Sequence, residues 1–249
     1  MVTPELHVLP DTEQMAHAAA SYVVEVARRS VAERGQCVIG LSGLGTPLEF
    51  YRTMASPPHV AELPWARTHL FMGDERWVPF SDSQSNAGMI MRELTGNVPV
   101  PQGNLHFIRT ELITPVASAE EHERELRLVL PWPGMPRLDV MLHALAPDGH
   151  TASLEMGSSA FEGRDTITNA VVDTWLPRVQ GPRVTFSYRL INNARHVVFI
   201  TNNARRAEAL RKVFRPRSDD TPIPAAIVRP TDGRLVWFVD RDAASLVSG

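Results

Sequence analysis

The run Leu138-Asp139-Val140-Met141-Leu142-His143-Ala144 is a nearly continuous apolar stretch, a pattern that suits a strand buried on both faces. Strands of that kind belong to parallel sheets, because the crossover connections lay helices over each face. The run then breaks at Pro147 and Gly149, where backbone regularity must end. Asp148 and His150 sit in the break, followed by Thr151 and Ser153, residue types that favour the first turn of a helix. One short segment thus carries an imidazole, a carboxylate two residues before it, and an expected helix N-terminus that attracts anions. The carboxyl end of a strand is where ligands bind in an open parallel sheet, so chemistry is expected here.

The rest of the chain alternates in the same way. Residues 11–34 read as a helix, with Asp11 and Gln14 at capping-box spacing and Gly35 placed to end it. Residues 37–41 form a short buried strand, and Pro47 suits the first position of a helix over 47–55. A strand over 68–72 ends in the polar tetrad Gly73-Asp74-Glu75-Arg76, and a loop over 81–86 leads into a helix over 87–94. Residues 105–108 make a short strand, and Ser118 with Glu121 predicts the start of an acidic helix running to 130. Past the central run come a strand over 167–172, a polar loop over 173–182, and residues 183–186 leading into a short helix. A strand over 195–201, a helix over 204–214, a proline-rich linker and a final strand over 235–239 complete the chain. The alternation predicts an α/β fold: one domain over 1–249, with a doubly wound, mainly parallel, Rossmann-like sheet and helices on both faces.

Composition narrows the function. A net charge of −3 argues against a general nucleic-acid or anionic-membrane binder, so any anion site must be a local cluster. Lys212 is the only lysine, and a positive charge that is otherwise arginine favours planar, bidentate capture of phosphate or carboxylate. Cys37 is the sole cysteine, which leaves no disulfide or zinc–cysteine site and fits a reducing compartment. The first residues lack the basic and apolar regions of a signal peptide, and no apolar run approaches the roughly 20 residues that span a bilayer; a cytoplasmic location is expected.

Several residues compete for roles. The loop 42–47 fails as a dinucleotide fingerprint and as a serine-nucleophile elbow, leaving two readings. Either Gly43, Gly45 and Thr46 cradle an anion, or the loop is a plain strand-to-helix turn. Arg76 can clamp an anion with Asp74 or Glu75 orienting it, or the tetrad is a surface ion pair. Asn86 is a helix cap or a polar ligand; Arg178 and Arg183 are phosphate ligands or solvated charges. His143, inside a strand, reads as packed, and no spacing of the H-E-x-x-H type points to a metal. His150 differs through its loop, since an imidazole there suits general-base work near neutrality.

Four blocks, in this order, resemble the 6-phosphogluconolactonase family of the amino-sugar-phosphate isomerase superfamily. They are Leu41-Ser42-Gly43-Leu44-Gly45-Thr46-Pro47-Leu48, Gly73-Asp74-Glu75-Arg76-Trp77-Val78-Pro79 with Ser85-Asn86, Pro147-Asp148-Gly149-His150-Thr151-Ala152-Ser153-Leu154, and Arg183-Val184-Thr185-Phe186 with Ile191-Asn192-Asn193-Ala194-Arg195. The resemblance implies the superfamily's fold and hydrolysis of 6-phospho-D-glucono-1,5-lactone to 6-phospho-D-gluconate, in the pentose phosphate pathway and without a cofactor. Carried over by position, His150 is the base that activates water and Asp148 orients it. Arg76 and Arg183, with the loop 43–46, hold the phosphate and hydroxyls, and Arg178 stands where relatives often have lysine. Leu44 and Gly45 replace the glycine and serine usual in that loop. The implied partner is a small sugar-phosphate lactone, with no nucleic acid or membrane and a monomer or weak homodimer as the working form. Two rival readings stand beside it. One is an amino-sugar-phosphate isomerase or deaminase, which Arg76 disfavours by standing where that chemistry has a D-E-Y-like block. The other is a non-catalytic sugar-phosphate binder, which Leu44 and Gly45 motivate.

Overall fold

A computed structural model describes residues 2–43, 47–131, 133–154, 156, 167–171 and 181–247. Seven strands form one sheet in the order β1-β10-β9-β6-β2-β3-β5, and every pairing in it is parallel. They are β1 (Glu5–Leu9), β2 (Cys37–Leu41), β3 (Thr68–Met72), β5 (Leu105–His106), β6 (Val140–Ala144), β9 (His196–Thr201) and β10 (Arg234–Asp240). The apolar runs are buried on both faces, as their lack of alternation requires. In β9, Val198 and Ile200 join one apolar cluster while Val197 and Phe199 join the other. The helix Thr12–Arg34 covers the first face with Met15, Ala19 and Val23, and the helices Tyr188–Asn192 and Ala207–Phe214 cover the second with Leu190, Leu210 and Val213.

Local chemistry sets the long helix's ends. The Asp11 side chain accepts from Gln14 N, and Gly35 closes the helix in the left-handed region. The acidic helix starts earlier than Ser118 and Glu121 suggest. Thr114 caps Pro115–Val129 with proline in its first turn, while Ser118 is buried and donates to the Arg109 carbonyl at 2.7 Å. Proline at a helix's first position and a threonine just before it outweigh a serine one turn further in.

Three elements depart from expectation. β1 pairs at the sheet's edge beside β10 and is half exposed, so it has no apolar run to announce it. The tetrad after β3 is not a loop: Asp74–Arg76 is a strand, β4. It pairs antiparallel with β8 (Arg183–Phe186), which pairs in turn with β7 (Thr168–Val171). This second, three-stranded sheet carries residues from distant parts of the chain to the carboxyl end of β3. Thr151 and Ser153 do not open a helix either. Residues 151–154 form a tight turn closed by a bridge between Thr151 and Leu154, with Ala152 at φ +50.

The strand order reverses between β6 and β2: the chain runs outward from β2 through β3 to β5, and outward from β6 through β9 to β10. The crevice beyond the carboxyl ends of those two strands is the ligand-binding position of such a sheet. At the opposite end, Asp139 holds the same strands together. Its carboxylate accepts from Val38 N at 2.8 Å and pairs with Arg34 at 3.0 Å, and its backbone carbonyl accepts from His196 N at 3.1 Å. Asp139→Ala would leave Val38 N and Arg34 Nε without their acceptor. A loss of about 3 kcal/mol in unfolding free energy is expected in urea denaturation, and a midpoint equal to wild type would show that this carboxylate does not brace the sheet.

Candidate active site

Past β6 the backbone turns back on itself. Gly149 N donates to the Ala146 carbonyl at 2.9 Å, Ala146 N donates to the His150 carbonyl at 3.0 Å, and Ala225 N holds the Gly149 carbonyl at 3.1 Å. Position 149 admits only glycine: its φ is +93, and a Cβ would lie 2.7 Å from Ile223. The turn aims Asp148 and His150 at each other. Asp148 Oδ1 lies 2.6 Å from His150 Nδ1 and also accepts from His150 N at 3.2 Å. An ionised carboxylate only accepts, so Nδ1 carries the hydrogen and Nε2 is left with its lone pair. His150 Nε2 is buried and has no hydrogen-bond partner among the described residues. The same bond from His150 holds the Asp148 carboxyl below its ordinary value of 3.8. The contribution of the ionised carboxylate to the turn is therefore present above that value and lost as the pH falls through the lowered one.

Ser153, three residues on, links this turn to the small sheet. Its hydroxyl donates to Asp74 Oδ2 at 2.9 Å and accepts from Arg183 Nη1 at 2.9 Å; Arg183 is itself 4.0 Å from Asp74. Asp74, Ser153 and Arg183 are all buried. Register explains the gathering: Asp74 faces Thr185 and Arg76 faces Arg183, so these four side chains share one face of the β4–β8 pair. Two guanidinium groups directly opposite each other repel, which favours an anion between or beside them. Arg76 donates from Nη1 to the Gln84 carbonyl at 2.5 Å and to Asn86 Oδ1 at 3.2 Å, while its buried Nε has no partner among the described residues.

Asn86 and Glu75 take parts that local sequence does not reveal. The cap of the helix Asn86–Ile90 is Ser85, whose Oγ accepts from Gly88 N. Asn86 stands inside the cap and turns its carboxamide to the site, donating from Nδ2 to the Asp74 carbonyl at 3.0 Å. Glu75, on the other face of β4, supplies the anion at that helix N-terminus, accepting from Asn86 N at 2.8 Å and Ala87 N at 2.7 Å. Burial pushes its carboxyl up. Glu75 is thus committed to the scaffold, and neither acid of the tetrad is a surface ion pair.

Gly43, at the end of β2, lies against this carboxamide. A Cβ on it would fall 1.9 Å from Asn86 Cγ, so glycine is needed for close packing. Tyr51 pins the strand end, its hydroxyl donating to the Ser42 carbonyl at 2.6 Å and accepting from Ser42 N at 3.1 Å. Of the residues singled out in the sequence, the structure brings His150, Asp148, Asp74, Arg76, Asn86, Arg183 and Gly43 to one rim. Gly45, Thr46 and Arg178 lie outside the described residues. His143 is packed: its Nδ1 is 2.8 Å from Thr151 Oγ1, and burial takes its pKa to about 3.

Arg206 joins the rim without having been expected there. Its Nε donates to the Leu145 carbonyl at 2.8 Å and its Nη1 to the Asn202 carbonyl at 3.2 Å, bridging the ends of β6 and β9. The usable signal was its place just after a strand's carboxyl end, which Arg76 shares.

Gly43→Ala is expected to lower stability by about 1–3 kcal/mol through displacement of Asn86. Gly103→Ala, where a Cβ meets nothing within 4 Å, should leave the thermal midpoint close to wild type; equal midpoints for the two variants would remove the packing role given to Gly43.

The family model for glucosamine-6-phosphate isomerases/6-phosphogluconolactonase matches residues 10–237. A 6-phosphogluconolactonase of Synechocystis is 33% identical over 244 residues, spanning 97% of this chain and 98% of its own length. The corresponding Nostoc protein is 32% identical over 245 residues and spans 98% of each. The crystal structure of 6-phosphogluconolactonase from Thermotoga maritima superposes with a TM-score of 0.80 at 27% identity, over 96% of this chain and all of the other. A chain matched from near its start to near its end, with this sheet order and this rim, belongs to the glucosamine-6-phosphate isomerase/6-phosphogluconolactonase family.

Proposed function

We infer that the chain hydrolyses 6-phospho-D-glucono-1,5-lactone to 6-phospho-D-gluconate, with His150 as general base. The observation that carries the reading is the 2.6 Å contact from His150 Nδ1 to Asp148, which presents an unpartnered Nε2 at the sheet's switch point. Relatives with this name, matched along almost their whole length, support the choice of substrate.

Nε2 takes a proton from water as the water oxygen attacks the lactone carbonyl carbon. The tetrahedral intermediate then expels the ring oxygen, which receives the proton from the imidazolium and becomes a hydroxyl. Asp148 keeps the ring oriented and stabilises the imidazolium formed midway. Arg76 and Arg183 supply the positive potential for the phosphate, with Asn86 and Gly43 shaping the pocket wall and Asp74 placed to hold a sugar hydroxyl. Gly45, Thr46 and Arg178 complete the phosphate and hydroxyl contacts in this proposal. No metal or organic cofactor enters the reaction, and the working form is a cytoplasmic monomer or weak dimer. Among the described residues no helix is long and apolar enough to cross a membrane.

A lactonase assay corrected for spontaneous ring opening tests the reading. His150→Ala is expected to lower kcat by about 10²–10⁴ with the fold intact. Asp148→Asn should lower it by roughly tenfold or more, because the ring loses the partner that sets its tautomer. Turnover by folded His150→Ala at the wild-type rate would remove His150 from the mechanism. Release of ammonia from an amino-sugar phosphate, without lactone turnover, would move the chain to the deaminase branch.

A further inference from the structure

The amino-terminal end of the sheet holds a second, differently built site. Arg137 precedes β6 and Arg195 precedes β9, so both stand roughly 15–20 Å of strand away from His150. Between them lies a cavity of about 550 Å³ lined by Leu130, Pro131, Met135, Arg137, Asn193 and Arg195. That volume falls in the range of small-molecule pockets. A second cavity of about 240 Å³ adjoins it, sharing Arg137 and Arg195 and adding Arg29, Arg34 and Arg234 to its walls. The larger compartment combines three apolar side chains with Arg137, Asn193 and Arg195, the smaller is lined mainly by arginine with Glu33 among them, and Arg137 and Arg195 are common to both.

The charges are unevenly served. Asp139 pairs with Arg34 and Arg195, Asp232 with Arg137, Glu33 with Arg29 and Arg34, and Glu5 with Arg234, while Glu25 adds negative charge near Arg29 and Arg234. Arg137 and Arg195 are the two least well bonded. Asp232 is almost fully exposed, which weakens its hold on Arg137. Arg195 Nε is 3.5 Å from Asp139, an ion-pair distance without a hydrogen bond, and the Nε atoms of both Arg137 and Arg195 are buried with no hydrogen-bond partner among the described residues. Burial and the neighbouring Arg34 and Arg137 lower the Arg195 pKa, as expected where like charges are held together. An anion beside Arg137 and Arg195 would offer the two guanidinium groups an acceptor and relieve that repulsion. The planar guanidinium groups and the apolar side chains of Leu130, Pro131 and Met135 favour a flat ring in the larger compartment.

We propose that this amino-terminal site binds a phosphate monoester carrying an aromatic ring, of the size of a mononucleotide, independently of the rim that holds His150. The phosphate lies against Arg137 and Arg195, and the ring lies on Leu130, Pro131 and Met135.

Isothermal titration calorimetry of the full chain with AMP, adenosine, phenyl phosphate and inorganic phosphate tests this. AMP and phenyl phosphate should bind saturably, with adenosine and inorganic phosphate each at least about tenfold weaker. Arg137→Gln and Arg195→Gln should each weaken AMP by about tenfold, and excess 6-phosphogluconate should leave AMP binding unchanged. Three results would overturn the proposal: no saturable AMP binding up to about 10 mM, equal affinity for AMP and inorganic phosphate, or displacement of AMP by 6-phosphogluconate. Binding by phenyl phosphate but not AMP would also overturn the mononucleotide assignment. Both arginines help brace the sheet, so the wild-type probe series decides the matter even if a variant does not fold.

Discussion

The hydroxyl of Ser153 holds together three segments that are far apart in sequence. It donates to Asp74 at the start of β4 and accepts from Arg183 at the start of β8, while its own residue lies three places beyond His150. All three side chains are buried, where an uncompensated charge costs several kcal/mol, so each makes the others tolerable. The contact couples the carboxylate–imidazole turn to the small antiparallel sheet. Ser153 N adds a second link, donating to Thr185 Oγ1 of β8 at 3.3 Å, so the spacing of the base and the guanidinium groups is fixed at one residue.

Strain is concentrated in the same turn. Ala152 adopts φ +50 between His150 and Ser153, a conformation that disfavours side chains with a Cβ by about 1–2 kcal/mol. Hydrogen bonds on both sides of it hold the conformation in place: Ala146 N to the His150 carbonyl, and Leu154 N to the Thr151 carbonyl. A backbone held off its preferred geometry beside a titratable ring matches the tendency of active sites to store strain where orientation matters.

The two ends of the parallel sheet show different electrostatic designs. At the carboxyl end, Asp74 and Arg183 are buried and joined through the Ser153 hydroxyl, with His150 presented from a turn. At the amino end, Asp139 carries much of the structural load and the arginines around it remain partly exposed. Both ends concentrate arginine, which accounts for nearly all of the chain's positive charge, within a protein of net charge −3. The positive potential is therefore local, a pattern that suits capture of small anions and not of polyanions.

The sequence alone determined the parallel sheet, the long helix with both of its ends, and the pairing of His150 with Asp148. These follow from short-range physics: uninterrupted apolar runs demand burial on both faces, Asp11 and Gly35 act within a turn, and a single residue separates Asp148 from His150. Only the tertiary structure decided what the polar tetrad does. Asp74, Glu75 and Arg76 look alike in sequence as loop residues, yet pairing with β8 sends Asp74 and Arg76 to the site and Glu75 to a helix N-terminus. β1, Arg206 and the Ser153 contact were equally illegible. Leu145 lies 61 residues from Arg206, Arg183 and Asp74 lie 30 and 79 from Ser153, and the partner of β1 is at the opposite end of the chain; no local pattern encodes which distant strand or loop will arrive.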